Sequence, residues 1–250
     1  MSLSPIRKAL SSIRKSGVKT LLMGGQACVL YGAAEFSRDL DLLILADREN
    51  LASLQSALDD LRADPIAAPP FDSRYLLRGH AVHFRCRRPD VAGLRIDVMA
   101  VLRGVAEFPE LWNRRTTVHV EGEDIDVLSA ADLIQAKKTQ RDKDWPMIRR
   151  LVEQNYFERA AAESPGQVEF WLSELRTPEL LAQVAAAHTV LARAVAARRP
   201  AVGAALENDL EAVSLALEAE EREERRRDRE YWEPLRRELE ELRRTRGSSS

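Results

Sequence analysis

Three aspartates are the residues in this chain with the most chemistry to offer. Asp39 and Asp41 open an otherwise apolar run, Arg38-Asp39-Leu40-Asp41-Leu42. Side chains alternate along a strand, so both carboxylates fall on one face and Leu40 and Leu42 on the other. Two carboxylates on one face repel each other and resist desolvation unless they share a cation. A divalent metal is the simplest remedy, and hard oxygen donors with open positions suit Mg²⁺ carrying substrate phosphates. The alternative is a solvated aspartate pair at a strand mouth. Asp97 lies inside a second short apolar run, Leu94–Met99. If that run pairs beside Leu40–Leu45, the three carboxylates converge, and a second strand with the same anomaly suggests a site. Upstream, Gly24-Gly25 stand where an apolar strand pattern gives way to a helical one. Paired glycines let backbone amides approach an anion closely, and a helix N-terminus adds favourable partial charge.

A second block lies further along. In Leu128-Ser129-Ala130-Ala131-Asp132-Leu133-Ile134-Gln135-Ala136-Lys137, Ser129 is placed to cap a helix, with Asp132 three residues on. Lys137 and Arg141 follow at i,i+4, so one helix face would present two cations to a triphosphate. Lys143 and Asp144 come next.

The order Met23-Gly24-Gly25, helix, Asp39-Leu40-Asp41, then a later strand aspartate at Asp97 resembles the nucleotidyltransferase superfamily of polymerase-beta type. The block from Leu128 to Lys137, with Lys143-Asp144 behind it, is similar to the AbiEii-like nucleotidyltransferases, the toxin class of bacterial toxin–antitoxin and phage-defence systems. The likeness spans residues 18–155. It implies a nucleotidyltransferase domain over residues 1–155, built on a mixed sheet flanked by helices. Beyond it, where no family motif is matched, the helical patterns give an all-helical domain over 156–246 ending in a long charged helix and a disordered tail at 247–250, so the chain reads as α+β. The likeness also implies an NTP substrate and Mg²⁺ or Mn²⁺ held by Asp39, Asp41 and Asp97, the same three being catalytic and Asp97 taking the acceptor's proton. Gly24, Gly25, Arg38, Lys137, Arg141, Lys143 and Asp144 would bind the nucleotide. The implied acceptor is the 3′ end of tRNA, and the implied protein partner a cognate antitoxin. Two rivals stand beside this reading. One is nucleotidylation of a small hydroxylated molecule such as an aminoglycoside or lincosamide. The other is a catalytically silent nucleotide- or protein-binding module, against which the intact aspartate set argues.

The elements that must position these residues are legible in outline. The chain of 250 residues is 45% hydrophobic and 31% charged, a globular composition with room for a core. Its 38 basic and 40 acidic residues give a formal charge of −2, which excludes nucleic-acid binding by bulk charge alone. With only Cys28 and Cys86 there is no disulfide framework. No run approaches the roughly 18–20 apolar residues of a membrane span, and the basic N-terminus lacks the marks of a signal peptide, so a cytoplasmic protein without membrane contact is expected. Instead the N-terminus reads as a helix capped by Ser4, entered through Pro5 and ended by Gly17. Strand patterns follow at Val18–Met23, Leu40–Leu45, Val82–Arg87, Leu94–Met99 and Thr116–Val120, with a helix over Arg48–Leu61 and an exposed loop around Pro65 and residues 67–70.

Beyond Tyr156 the strand signals stop. Helices are expected over Val168–Leu175 and Glu179–Arg198, and a long helical pattern from Pro200 to about Arg244. The all-charged run 220–230 reads as a solvated helix face with Glu221–Arg225 and Glu223–Arg227 pairs, and Pro234 should kink the helix. Arg74, Arg78, Arg85, Arg87 and Arg88, with Tyr75 and Phe84 among them, form either an RNA- or nucleotide-facing patch or a solvated sheet edge. His80 and His83 lack further ligands for zinc, and Cys86 reads as an ordinary strand cysteine.

Overall fold

The computed structural model describes residues 4–247. Two compact units are present, one formed by the described residues of 1–136 and 230–250, the other by 137–229. The first contains α1 (Pro5–Lys15), β1 (Thr20–Met23), α2 (Gly24–Leu30), β2 (Leu40–Ile44), α3 (Arg48–Asp60), β3 (Ala63–Pro65), α4 (Ser73–Leu77), β4 (Val82–Cys86), β5 (Arg95–Met99), α5 (Phe108–Asn113), β6 (Thr116–Val120), β7 (Glu123–Val127) and nearly all of α6 (Ala130–Lys137). The second contains α7 (Asp144–Arg159), α8 (Pro165–Glu174), α9 (Pro178–Ala187), α10 (Thr189–Ala196), α11 (Pro200–Leu206) and the first half of α12 (Leu210–Gly247), whose last turns belong to the first unit. The chain is therefore α+β: a mixed sheet flanked by helices, then a helical remainder ending in a long charged helix. The composition change near residue 155 falls inside α7, whereas compactness divides the chain at Lys137 and again at Glu230.

The seven strands run in the order β3-β4-β5-β2-β1-β7-β6. β2 and β5 pair in parallel, as do β1 and β7, and the remaining neighbours are antiparallel. Alternation sets one face of the central strands into the core. Leu40, Leu42, Phe84, Ile96 and Val98 are buried there, each contributing about 1.5–3 kcal/mol by leaving water. That burial offsets the polar residues crowded on the opposite face. Asn50 ties the residues flanking β1 and β2 to α3: its Oδ1 accepts from the Lys19 amide at 2.7 Å, and its Nδ2 donates to the carbonyls of Lys19 and Leu45 at 3.0 and 2.7 Å.

Local chemistry explains the helix ends. The Ser4 hydroxyl accepts from the Arg7 amide, Pro5 takes the first helical position, and Gly17 leaves α1 at φ 73°. Some expectations need correction. The exposed loop expected around Pro65 begins one residue later: exposed Pro65 ends edge strand β3, where a missing N–H is tolerated, and residues 66–70 form the loop, with Ile66 and Pro70 exposed but Ala68 and Pro69 buried. The helix expected over Glu179–Arg198 is two, α9 and α10, broken at His188. The long pattern from Pro200 also breaks, because Asn208 adopts φ 55° and Asp209 then caps α12 by accepting from the Ala212 amide at 2.9 Å. From there α12 runs on through Pro234, with the anticipated Glu221–Arg225 and Glu223–Arg227 pairs. Gly247 is its last residue, and Ser248–Ser250, the remainder of the expected tail, lie outside the described residues.

Candidate active site

The three aspartates meet on one sheet face. In the parallel β2–β5 pair, Asp41 stands directly beside Asp97, and Asp39 lies two residues back at the mouth of β2. All three are partly exposed, while Leu40, Leu42, Ile96 and Val98 between them are buried on the other side. Register alone brings Asp97 there, from far along the chain.

Gly24 explains how Asp41 is seated. It turns out of β1 at φ 66°, and a Cβ added to it would lie 2.0 Å from Asp41 Oδ2. Only glycine leaves that carboxylate room. The next amide, Gly25, donates to the same oxygen at 3.3 Å. A Cβ at Gly25 would meet Ser37 Oγ at 2.4 Å, and Ser37 is itself tied down, its carbonyl accepting from Gln26 Nε2 at 2.8 Å. The turn expected to cradle phosphate thus holds a carboxylate here. Arg38, next in line, is exposed, with its guanidinium 6.0 Å from the ring of exposed Phe36.

The same face carries Arg95, which the sequence reading did not single out, and His83 and Arg85, which it read in other roles. On β4, His83 pairs across from Asp97, and Arg85 across from Arg95. Asp97 Oδ1 accepts from Arg95 Nε at 2.7 Å and lies 2.8 Å from His83 Nδ1, while Arg95 NH2 is 3.1 Å from that same ring nitrogen. Burial alone would raise the Asp97 pKa, but the hydrogen bonds from His83 and Arg95 outweigh it and hold the carboxyl below its ordinary value. The signal was available: Arg95 is two residues before Asp97, and His83 is two before Arg85, so the alternation that places Asp39 beside Asp41 also places these residues on the polar face.

Charge compensation on this face is therefore partly internal. Among the described residues no three His, Cys, Asp or Glu side chains stand together as a ready metal cage. Asp39 and Asp41 offer the hard oxygen donors that Mg²⁺ or Mn²⁺ prefers. Asp97 adds its Oδ2, while its Oδ1 faces Arg95 Nε and the His83 ring nitrogen.

The block around residue 130 behaves differently. Ser129 caps α6, accepting from the Asp132 amide at 3.2 Å, and the Asp132 carboxylate accepts from Ser129 Oγ at 2.6 Å and from Arg114 at 2.6 and 2.8 Å. In the second unit, Lys137 is buried and donates to Asp144 at 3.2 Å. Asp144 also accepts from Thr139 and Arg141, each at 2.6 Å. Burial would raise the Asp144 pKa, but the Lys137 charge, the Thr139 hydroxyl and Arg141 together lower it. Lys137, Arg141 and Asp144 thus form a cluster of their own, and exposed Lys143 precedes α7.

Other sequence candidates resolve in the same way. Four of the five central arginines carry carboxylate partners: Arg74 with Asp72, Arg78 with Glu238, Arg87 with Asp64, and Arg88 with Asp60 and Asp90. His80 is buried against Glu238 at 2.8 Å, away from any zinc-like set. Burial pushes the Cys86 thiol up to about 11, with Arg88 pulling the other way, so it is an inert strand cysteine. Among the described residues no helix is long and apolar enough to cross a membrane.

No family model matches the chain, and no curated protein matches it. Among solved structures it is similar to an antigenic nucleotidyltransferase-like protein from Paracoccidioides brasiliensis, at 18% identity and a TM-score of 0.41, over 82% of this chain and 92% of that one.

Proposed function

We propose that this chain is a divalent-metal-dependent nucleotidyltransferase that moves a nucleoside monophosphate from an NTP to an acceptor hydroxyl. The observation that carries this reading is the in-register Asp41–Asp97 pair, with Asp39 at the strand mouth and a Gly24-Gly25 turn closed onto Asp41. In the reaction the acceptor oxygen bonds to the α-phosphorus, the bond from that phosphorus to the bridging oxygen breaks, and pyrophosphate leaves with the electron pair. Asp39 and Asp41 would hold Mg²⁺ or Mn²⁺, which when bound neutralises charge on the triphosphate. Asp97, kept ionised by its neighbours, accepts the hydroxyl proton. Arg38 adds a phosphate-facing cation at the rim.

The acceptor we put first is the 3′ end of tRNA, with a growth-inhibitory role and an antitoxin partner, as the AbiEii-like resemblance implies. One observation favours a second reading. The arginines that would have faced RNA are mostly paired with carboxylates, which removes an argument against a small cationic acceptor such as an aminoglycoside. Incubation with each labelled NTP and Mg²⁺, with total tRNA, with aminoglycosides and lincosamides, or with neither, followed by gel and thin-layer separation, distinguishes the two. Label in tRNA supports the first, and label in the small molecule the second. The absence of product from wild type with every NTP and acceptor would remove the enzyme reading.

A further inference from the structure

Two arginines stand opposite each other on the polar sheet face. Arg85 on β4 pairs directly across from Arg95 on β5, one row toward the Asp39 end from the His83–Asp97 pair. Like charges in directly opposed positions destabilise a sheet. Arg95 is answered within the protein, because its Nε donates to Asp97 at 2.7 Å. Arg85 is not. Its neighbour on the other side of β4 is Asp64 on β3, and that carboxylate accepts from Arg87 at 2.7 Å. Among the described residues no carboxylate pairs with Arg85, whose exposed guanidinium makes a single long hydrogen bond, 3.5 Å to the Gly93 carbonyl. A guanidinium with donors free and a like charge opposite suits an anionic ligand, and its planar fork matches phosphate.

Position decides which anion. Neighbouring strands lie about 4.7–4.9 Å apart, so β4, two strands from the Asp39–Asp41 strand β2, is displaced from it by about 9–10 Å. Asp97 on β5 stands between them, and Arg85 is its diagonal neighbour at about 7–8 Å. A group held by Arg85 therefore lies on the far side of Asp97 from the triphosphate, a short linkage from the hydroxyl that Asp97 deprotonates. Resting on the nucleotidyltransferase reading, we infer that Arg85 binds the acceptor, and that the acceptor carries a phosphate beside its reactive hydroxyl. A polynucleotide end and a small phosphorylated molecule both offer that chemistry. A cationic acceptor would meet Arg85 and Arg95 together and be repelled.

The test separates acceptor from donor binding. The full chain is titrated by calorimetry, with Mg²⁺, first with each α,β-methylene NTP in turn. The chain saturated with analogue then receives a short RNA with a free 3′-hydroxyl, nucleoside 5′-monophosphates, the parent nucleosides, or an aminoglycoside. Wild type should bind a phosphate probe in preference to the nucleosides and the aminoglycoside. Arg85→Ala should weaken that probe by about tenfold, the low end for a hydrogen bond to a charged group, while the NTP analogue stays within about twofold. Arg85→Lys should recover part of the loss, and Arg87→Ala, whose charge Asp64 already holds, should cause little. RNA bound more tightly than the monophosphates identifies a polynucleotide end, equal binding a small acceptor, and both support the inference. Four results would overturn it and leave the nucleotidyltransferase reading standing: unchanged probe binding by folded Arg85→Ala, a loss that falls on the NTP analogue, an equal loss in Arg87→Ala, or a wild type that binds the analogue but prefers no phosphate probe. A wild type that binds no analogue would remove the nucleotidyltransferase reading, and the acceptor role of Arg85 with it. Should Arg85→Ala fail to fold, Arg85→Lys and the wild-type preference decide.

Discussion

The polar face of β2, β5 and β4 and the Lys137–Asp144 cluster are built from the same residue types and differ in one respect. On the sheet face, carboxylates and cations are partly exposed and keep unused bonding capacity: Arg95 retains solvent-facing donors, and Asp39 stands at a strand mouth. In the second cluster Asp144 is almost fully buried and accepts from Lys137, Thr139 and Arg141 at once. A charged group whose partners are all inside the protein stabilises the fold, and one with capacity left can bind something else. Spacing along a chain does not separate these two cases, but burial and partner count do.

The sharpest break between the regions should come from Asp41→Asn. Asparagine keeps the size of the side chain and an oxygen for the Gly25 amide, so the fold should be retained. Transfer should fall by about 10²–10³-fold, the scale of a lost electrostatic contact to developing charge, measured by single-turnover assay. Wild-type turnover in this variant would strip the sheet face of its catalytic role.

Asp144→Ala should do the reverse. It leaves Lys137 buried without its carboxylate, at a cost of about 3–5 kcal/mol, which calorimetric melting would show as a drop of roughly 10 °C for a chain of this size. The acid limb of the stability curve adds a check. Because the folded Asp144 pKa lies below the ordinary 3.8, its contribution is complete above that value and is lost as pH falls through the folded one. Asp144→Asn should therefore flatten the decline of stability below about pH 4. An unchanged melting temperature in Asp144→Ala would mean that the cluster is not needed to hold the fold.

Gly24→Ala tests whether the Asp41 seat matters. The alanine must hold φ 66°, at about 1–2 kcal/mol, and its Cβ would displace the Asp41 carboxylate. Modest destabilisation with a large loss of transfer is the expected pair of results, and full transfer would show that Asp41 tolerates another position.

What was readable in the sequence follows from how local each signal is. β2 and β5 carry alternation strong enough to show Asp39, Asp41 and Asp97 as anomalies, and the Gly24-Gly25 turn is local too. β7 was missed because Glu123–Val127 interleaves acids with apolar residues and resembles a loop until β6 pairs with it. The helices α4 and α5, of 5 and 6 residues, are too short for a 3.6-residue period to register. At the site, the ionic balance was misjudged because only carboxylates were counted. Arg95 and His83 occupy polar-face positions of strands already recognised, and the same period of two would have located them. Which of them touches Asp97 depends on register between strands, and that no local pattern encodes.

The smallest effect belongs to Arg38→Ala. Arg38 is exposed, its recorded contact is the loose approach to the Phe36 ring, and no ion pair to it is found among the described residues. Its removal should leave the melting temperature unchanged, since nothing inside the fold depends on it. A solvent-facing cation interacts with phosphate through high dielectric and mobile ions, where such contacts are worth roughly 0.2–1 kcal/mol. The KM for NTP should therefore rise by only about two- to fivefold at low salt, with kcat unchanged, because a contact made equally to bound substrate and transition state acts on binding alone. The difference should shrink as ionic strength climbs past about 0.15 M, where the screening length is near 8 Å. A salt-independent loss, or one that falls on kcat, would mean that Arg38 swings inward onto the reacting phosphates and belongs with Arg95 on the working face of the sheet.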